Sequence, residues 1–238
     1  MQMLAKQVTQ QYHENKDFFA DIKKARLPHE QFINDPTMFE DPKRFIEFYC
    51  SSIMSGIGKI NPPEAMYLIE LCKATLPKLI VEIGIFTGGS TKLLAMFTKF
   101  HGGKLVSIDG KLNPGVPKQI EQLGCKDQVT LLEYWTPWLP FSIKDWEIDF
   151  LYIDGDHSRI GVIADFHYFN RYLNQGGIVV FHDYHLLAVR NAIEVLQESF
   201  NLEEVGQVFR MKAFKKLDPR DEVYLQVTHG KENMIRGF

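Results

Sequence analysis

Between residues 79 and 183, short apolar runs alternate with amphipathic stretches. LIVEI (79–83), KLVSID (104–109), QVTLLE (128–133), IDFLYID (148–154) and GGIVVFHD (176–183) are rich in β-branched and aromatic residues and read as buried strands. STKLLAMFTKF (90–100), SRIGVIADFHYFNRYL and LLAVRNAIEVLQESF lie between and after them and read as helices. This alternation predicts an α/β fold, a parallel sheet with helices on both faces. Upstream, NPPEAMYLIELCKA reads as a helix start, in which Asn61 caps, Pro62 fits the first turn and Glu64 reaches back as a capping box. The tail breaks the pattern. EVGQVFRMKAF and DEVYLQVTHG read as two strands joined by KKLDPR, an antiparallel hairpin on the sheet edge.

The first sixty residues are charged, helix-leaning and dotted with aromatics, and SGIGK closes them. They are expected to form a helical extension (1–60) on a main domain (61–238). Phe18, Phe19, Phe45 and Phe48 need a surface to cover them, either as a lid on their own chain or in a homodimer or larger homo-oligomer.

With 238 residues, 45% of them hydrophobic, the chain can close one sizeable core. A net charge of −3 and a pI near 6.2 supply no basic field for nucleic acid or anionic lipid. The NPP at 61–63 lacks the aromatic that a base-flipping methylase places next; Glu64 stands there instead. Cys50, Cys72 and Cys125 are widely spaced and form no CxxC pair. The N-terminus shows no signal-peptide core, and no apolar run approaches the roughly 20 residues that span a bilayer. The expectation is a cytoplasmic protein without a membrane or nucleic-acid partner.

The candidate chemistry begins in VEIGIFTGGS (81–90), where a strand ends in an acid and then in glycines. Gly84 and Gly88 let the backbone turn and approach a ligand closely. Ser90 and Thr91 open the next helix, and Asp109, at the end of the second strand, is placed to accept both hydroxyls of a ribose. A nicotinamide dinucleotide site wants GxGxxG, but Phe86 occupies the place of the second glycine. Glu82, two residues before the first glycine, suits a cationic ligand better than a phosphate. S-adenosylmethionine (SAM) carries a ribose, an ammonium and a sulfonium, and Glu82 is expected to anchor its amino-acid end.

The pattern E-x-G-x-x-x-G-G-S followed by the acid of VSID resembles the class I SAM-dependent methyltransferases. LYIDGDHS and GGIVVFHD resemble one bacterial branch of small-molecule O-methyltransferases, which includes macrocin O-methyltransferase and cephalosporin hydroxylase-like proteins. The likeness covers roughly residues 60–200. It implies a Rossmann-like, mostly parallel seven-stranded sheet of order 3-2-1-4-5-7-6 with a C-terminal antiparallel hairpin.

In that order the fourth and fifth strands are neighbours, so DGDHS and FHDYH meet at one rim beside the methyl donor. The resemblance then implies a Mg²⁺ or other divalent ion held by Asp156 and Asp183, with His182 where relatives often have an acid. Asp154 is read as a further ligand, a support for the ligands or a cofactor contact. His157 is the first candidate for general base and His185 the second. Tyr134 or Trp135, in the loop where this fold holds adenine, is expected to stack on it. For each of these residues a helix cap, a solvated loop or ordinary packing is the competing reading. His101 and His167 fall outside the rim and are given structural roles.

The leading functional expectation is methyl transfer from SAM to a small hydroxylated metabolite. An NAD(P)-dependent oxidoreductase and a non-catalytic SAM-binding protein of the same fold are the alternatives.

Overall fold

In a computed structural model that describes residues 2–23, 27–54, 60–136 and 145–219, each apolar run becomes a strand within three residues of its expected bounds, except at the tail. The parallel strands are β1 (Leu79–Ile83), β2 (Lys104–Asp109), β3 (Val129–Glu133), β4 (Ile148–Ile153) and β5 (Leu173–Phe181). The tail contributes β6 (Leu202–Val208) and β7 (Met211–Lys216). The sheet order is β3-β2-β1-β4-β5-β7-β6, with β7 antiparallel to both of its neighbours. The N-terminal part contains α1 (Gln2–Glu14), α2 (Lys16–Ile22) and α3 (Pro42–Tyr49), with three short 3₁₀ turns. Helices α4 (Pro62–Thr75), α5 (Gly89–His101), α6 (Gly115–Gln122), α7 (Arg159–Asn170) and α8 (Leu187–Ser199) complete the chain.

The tail corrects the expectation. EVGQVFRMKAF is not one strand but most of a hairpin, turning at Phe209 and Arg210. Phe209 adopts a left-handed φ of 50°, which a phenylalanine seldom takes, so the turn carries no Gly, Asn or Pro signature. DEVYLQVTHG lies outside the described residues.

Alternate residues of β1 serve opposite faces. Ile80 joins one buried cluster with α4, α5 and the N-terminal helices, while Val81 and Ile83 join a second with α7 and α8. Phe45 and Phe48 are buried in the first cluster, and Phe18 and Phe19 pack against it. Phe45 and Phe48 are thus covered by their own chain, and Phe18 and Phe19 in part. Helix α1 crosses β6 at Gly206, where a Cβ would stand 3.0 Å from Ala5 and 3.1 Å from the Tyr67 hydroxyl.

Among the described residues, no helix is long and apolar enough to cross a membrane. His101 stacks on Phe97 with ring centroids 4.3 Å apart, and His167 tilts against Phe200, so both histidines sit in packing roles.

Candidate active site

A cavity of about 780 Å³ opens beyond the carboxyl ends of β1, β2, β4 and β5. That is within the range of pockets that hold small ligands. Its wall changes character from the β3 side to the β5 side.

At the centre is the loop after β1. Gly84 has a φ of +94°, and a Cβ there would stand 2.0 Å from the backbone oxygen of Asp154. Only glycine lets this loop lie flat against the end of β4. The Asp109 carboxylate accepts the N–H groups of Ile85 at 2.8 Å, Phe86 at 2.9 Å and Lys111 at 3.0 Å. Phe86 is held at a left-handed φ of 49°, with its ring largely exposed at the cavity. Gly88 caps α5 and touches Val116 of α6.

Glu82 does not reach this cavity. It is fully buried on the sheet face under α5 and accepts hydroxyl hydrogen bonds from Ser90 and from Ser107 (2.6 Å), its direct neighbour in the β1–β2 register. Burial pushes its carboxyl up to about 7 against the pull of those hydroxyls. The position expected to anchor a ligand therefore ties β1 to β2 and to the first turn of α5, because alternation along the strand points it at a face rather than off the tip. Ser90 also lines the cavity.

On the β3 side, Trp135 lies over Gly110, where a Cβ would fall 2.4 Å from the indole. Both Tyr134 and Trp135 are exposed and line the cavity. Asp165 of α7 lines the same cavity. It is buried, takes a hydrogen bond from Thr136, and is pushed up to about 6 by burial.

On the β4–β5 side, one ligand atom each from Asp154, His182 and Asp183 lies within 4.8 Å of the others. His182 is buried, and its Nδ1 lies 3.1 Å from Asp154 Oδ1 and 3.3 Å from Asp183 Oδ2. Nδ1 meets both as ion pairs but is aligned with neither for a hydrogen bond. Its Nε2 lies 3.3 Å from Glu64 Oε2. Burial opposes a charge on this ring, but Asp154, Asp183 and Glu64 outweigh it and push the imidazole up to about 11. Burial likewise opposes ionisation of Asp154 and Asp183, yet the neighbouring imidazoles hold both carboxyls below their ordinary value. Asp183 sits at a left-handed φ of 51°. His157 is half-exposed, with Nε2 3.2 Å from Asp183 Oδ2 and 3.5 Å from Asp154 Oδ1, and these acids raise its pKa. His185, also half-exposed, has Nδ1 3.5 Å from Asp183 Oδ1 but does not line the cavity.

The expected ligand Asp156 does not join this cluster. Its carboxylate turns into the entry of α7, where it accepts the Ser158 N–H and hydroxyl, both at 2.9 Å, and packs over Gly161. The helix start claims it, and Asp154 is the acid of the DGDH stretch that faces His182.

Glu64 and Arg210 were not anticipated at the site. Glu64 does form the capping box, accepting the Asn61 N–H at 2.9 Å. The same carboxylate accepts Arg210 Nε at 2.9 Å and Nη2 at 3.0 Å, while Arg210 Nη1 reaches Asp183 at 3.3 Å. Burial opposes its ionisation, but His182 and Arg210 hold the Glu64 carboxyl down at about 2. Since 118 and 146 positions separate Glu64 from these two partners, no local spacing announces the group.

Residues 81–184 match a family model described as a methyltransferase domain. An uncharacterised protein, R132, of Acanthamoeba polyphaga mimivirus is 34% identical over 113 residues, 44% of this chain, and the alignment spans about half (50%) of that relative. Among solved structures, the O-methyltransferase TomG of Streptomyces achromogenes in complex with SAM superposes with a TM-score of 0.54 at 16% identity, covering 67% of this chain and 82% of TomG. An O-methyltransferase from Bacillus cereus in complex with S-adenosylhomocysteine (SAH) gives 0.54 at 17% identity, over 68% and 84% of the two chains. The SAH-bound methyltransferase PaMTH1 of Podospora anserina gives 0.54 at 16% identity, over 67% and 80%.

Proposed function

We propose that the protein, whose residues 81–184 match a methyltransferase-domain model on a sheet of order β3-β2-β1-β4-β5-β7-β6, transfers the methyl group of SAM to a hydroxyl of a small metabolite, with a divalent ion holding the acceptor. One observation carries the reading. The glycine loop with Asp109 and the Asp154–His182–Asp183 group open on the same cavity.

Along the strand ends, Asp109 takes the ribose hydroxyls, and the loop at Gly84–Phe86 lies against the homocysteine part. Tyr134 and Trp135 take the adenine face. This leaves the reacting methyl toward the β4–β5 side.

The residues there fit a divalent ion. Asp154, His182 and Asp183 offer two carboxylates and a buried nitrogen with no hydrogen-bond partner. Bound there, the ion would supply Lewis acidity, lowering the pKa of an acceptor hydroxyl. The chain's own part is alignment and proton handling. Gly84, packed on the Asp154 carbonyl, joins the cofactor loop to the acceptor side without slack. His157 Nε2, at the open edge of the cluster, is the proton acceptor. As the hydroxyl proton leaves, the oxygen forms its bond to the methyl carbon, and the carbon–sulfur bond breaks with its electron pair returning to sulfur. Such a displacement depends on near-attack geometry more than on covalent help.

Calorimetry with SAM, SAH and NADH, followed by transfer of labelled methyl to a panel of phenols, sugars and other hydroxylated compounds, tests this. SAM and SAH should bind and NADH should not; tighter binding of NADH would overturn the proposal.

A further inference from the structure

The ion-holding role proposed above leaves unused the side of His182 that faces away from the cavity. There Glu64, fully buried at the start of α4, lies with Oε2 3.3 Å from His182 Nε2. Its other partners, the Asn61 N–H, the Arg210 N–H and the Arg210 guanidinium, are all donors. Glu64 is thus fixed as an acceptor, and it keeps a hydrogen on Nε2. The remaining nitrogen, Nδ1, is buried without a hydrogen-bond partner and faces two carboxylates. When its proton leaves, Nδ1 turns a lone pair into the space between those acids, where a divalent ion can take the proton's place. A carboxylate holding one imidazole nitrogen while the other binds a metal is a recurring arrangement, and it raises the basicity of the ligand.

The charges agree. Glu64 and Arg210 neutralise each other. Asp154 and Asp183 then match one divalent ion, and the imidazole ligates as a neutral group. Mg²⁺ favours octahedral oxygen ligands, whereas imidazole suits later first-row ions such as Co²⁺, Ni²⁺ and Zn²⁺.

We propose that Glu64 is a positioning residue that presents His182 Nδ1 as a metal ligand, and that the site formed with Asp154 and Asp183 takes nitrogen-accepting first-row ions such as Co²⁺ or Zn²⁺ in preference to Mg²⁺. This rests on the ion-holding role proposed for the cluster.

Calorimetry of the full chain with CoCl₂, ZnCl₂ and MgCl₂ tests the preference without any activity assay. One Co²⁺ or Zn²⁺ per chain should bind at least about tenfold more tightly than Mg²⁺. Glu64→Gln should weaken Co²⁺ binding by about 10- to 100-fold, the usual cost of losing such a supporting group. His182→Asp should narrow or invert the ratio to Mg²⁺. Nitrogen-15 NMR of the wild-type histidines needs no variant: on Zn²⁺ addition the His182 Nδ1 resonance should shift while Nε2 keeps its hydrogen. If ions bind with no preference over Mg²⁺ and leave Nδ1 unmoved, this inference falls and the ion-holding reading survives. If no divalent ion binds, both fall.

Discussion

Two acids near the cavity have opposite circumstances. Glu82, on β1, meets two serine hydroxyls within the protein, so its hydrogen bonding is complete and it faces no ligand space. Asp154, one strand away just past the end of β4, shares a cavity wall with a histidine nitrogen that has no hydrogen-bond partner. One acid is sealed into the fold, and the other is left with work to do. Burial of a carboxylate, as at Glu82, is therefore not a sign of function in itself; what separates the two is whether their neighbours are satisfied within the protein.

The largest effect should come from opening the second group. Asp183→Asn keeps a residue that tolerates the left-handed backbone at this position. Turnover should fall by roughly 10²- to 10³-fold, as for loss of other groups that stabilise developing charge. SAH affinity by calorimetry should stay within a few-fold, because the β1–β2 side is untouched. Loss of both together would mean that the two sides are not separable.

Asp109→Ala attacks the cofactor side. A hydrogen bond to a charged group contributes about 1.5–3 kcal/mol, or roughly 10- to 150-fold in SAM affinity. The effect should lie at the upper end, because Asp109 also holds the Ile85 and Phe86 N–H groups. An unchanged affinity would remove Asp109 from the ribose.

Glu82 should reveal itself in stability rather than binding. Its carboxyl titrates near 7 in the folded protein against an ordinary value of 4.5. Between those two pH values the folded state keeps a proton that the unfolded chain has released. Stability should therefore fall as pH rises through that window, by at most about 1.4 kcal/mol per unit, and level off outside it. Thermal melts of Glu82→Gln across pH 4.5–7.5 should lack this slope, and the same slope in both proteins would assign it elsewhere.

The smallest effect is expected of Trp135→Ala. Its ring lies on Gly110. SAH affinity should drop by about 2- to 13-fold if the ring stacks on adenine, in line with aromatic pairs at about 0.5–1.5 kcal/mol, and not at all if the ring only covers Gly110.

The parallel strands were legible because each is an unbroken apolar run, and the sheet order was implied by the resemblance that the motifs at their ends carry. The final hairpin was not, since Phe209 and Arg210 turn the chain without turn-forming residues. At the site, Gly84, Phe86, Gly88, Ser90, Asp109, Tyr134, Trp135, Asp154, His157, His182 and Asp183 were named from the chain, and all but Gly88 line the cavity. Two acids were misplaced for physical reasons. Glu82 obeys strand parity, and a signal was present in Ser90 and Ser107, two hydroxyls able to satisfy it. Asp156 was taken by the entry of α7, where Ser158 also caps by accepting the Gly161 N–H. Glu64 carried a correct local reading as a capping residue, which concealed its second role beside His182.

That double duty bears on recombination. The segment that matches the family model, residues 81–184, holds the glycine loop and all three ligand candidates, but neither Glu64 nor Arg210. A chimera exchanging this segment alone with a relative would transplant His182 without the carboxylate behind it. Junctions before residue 61 and after residue 216 would carry the whole group across.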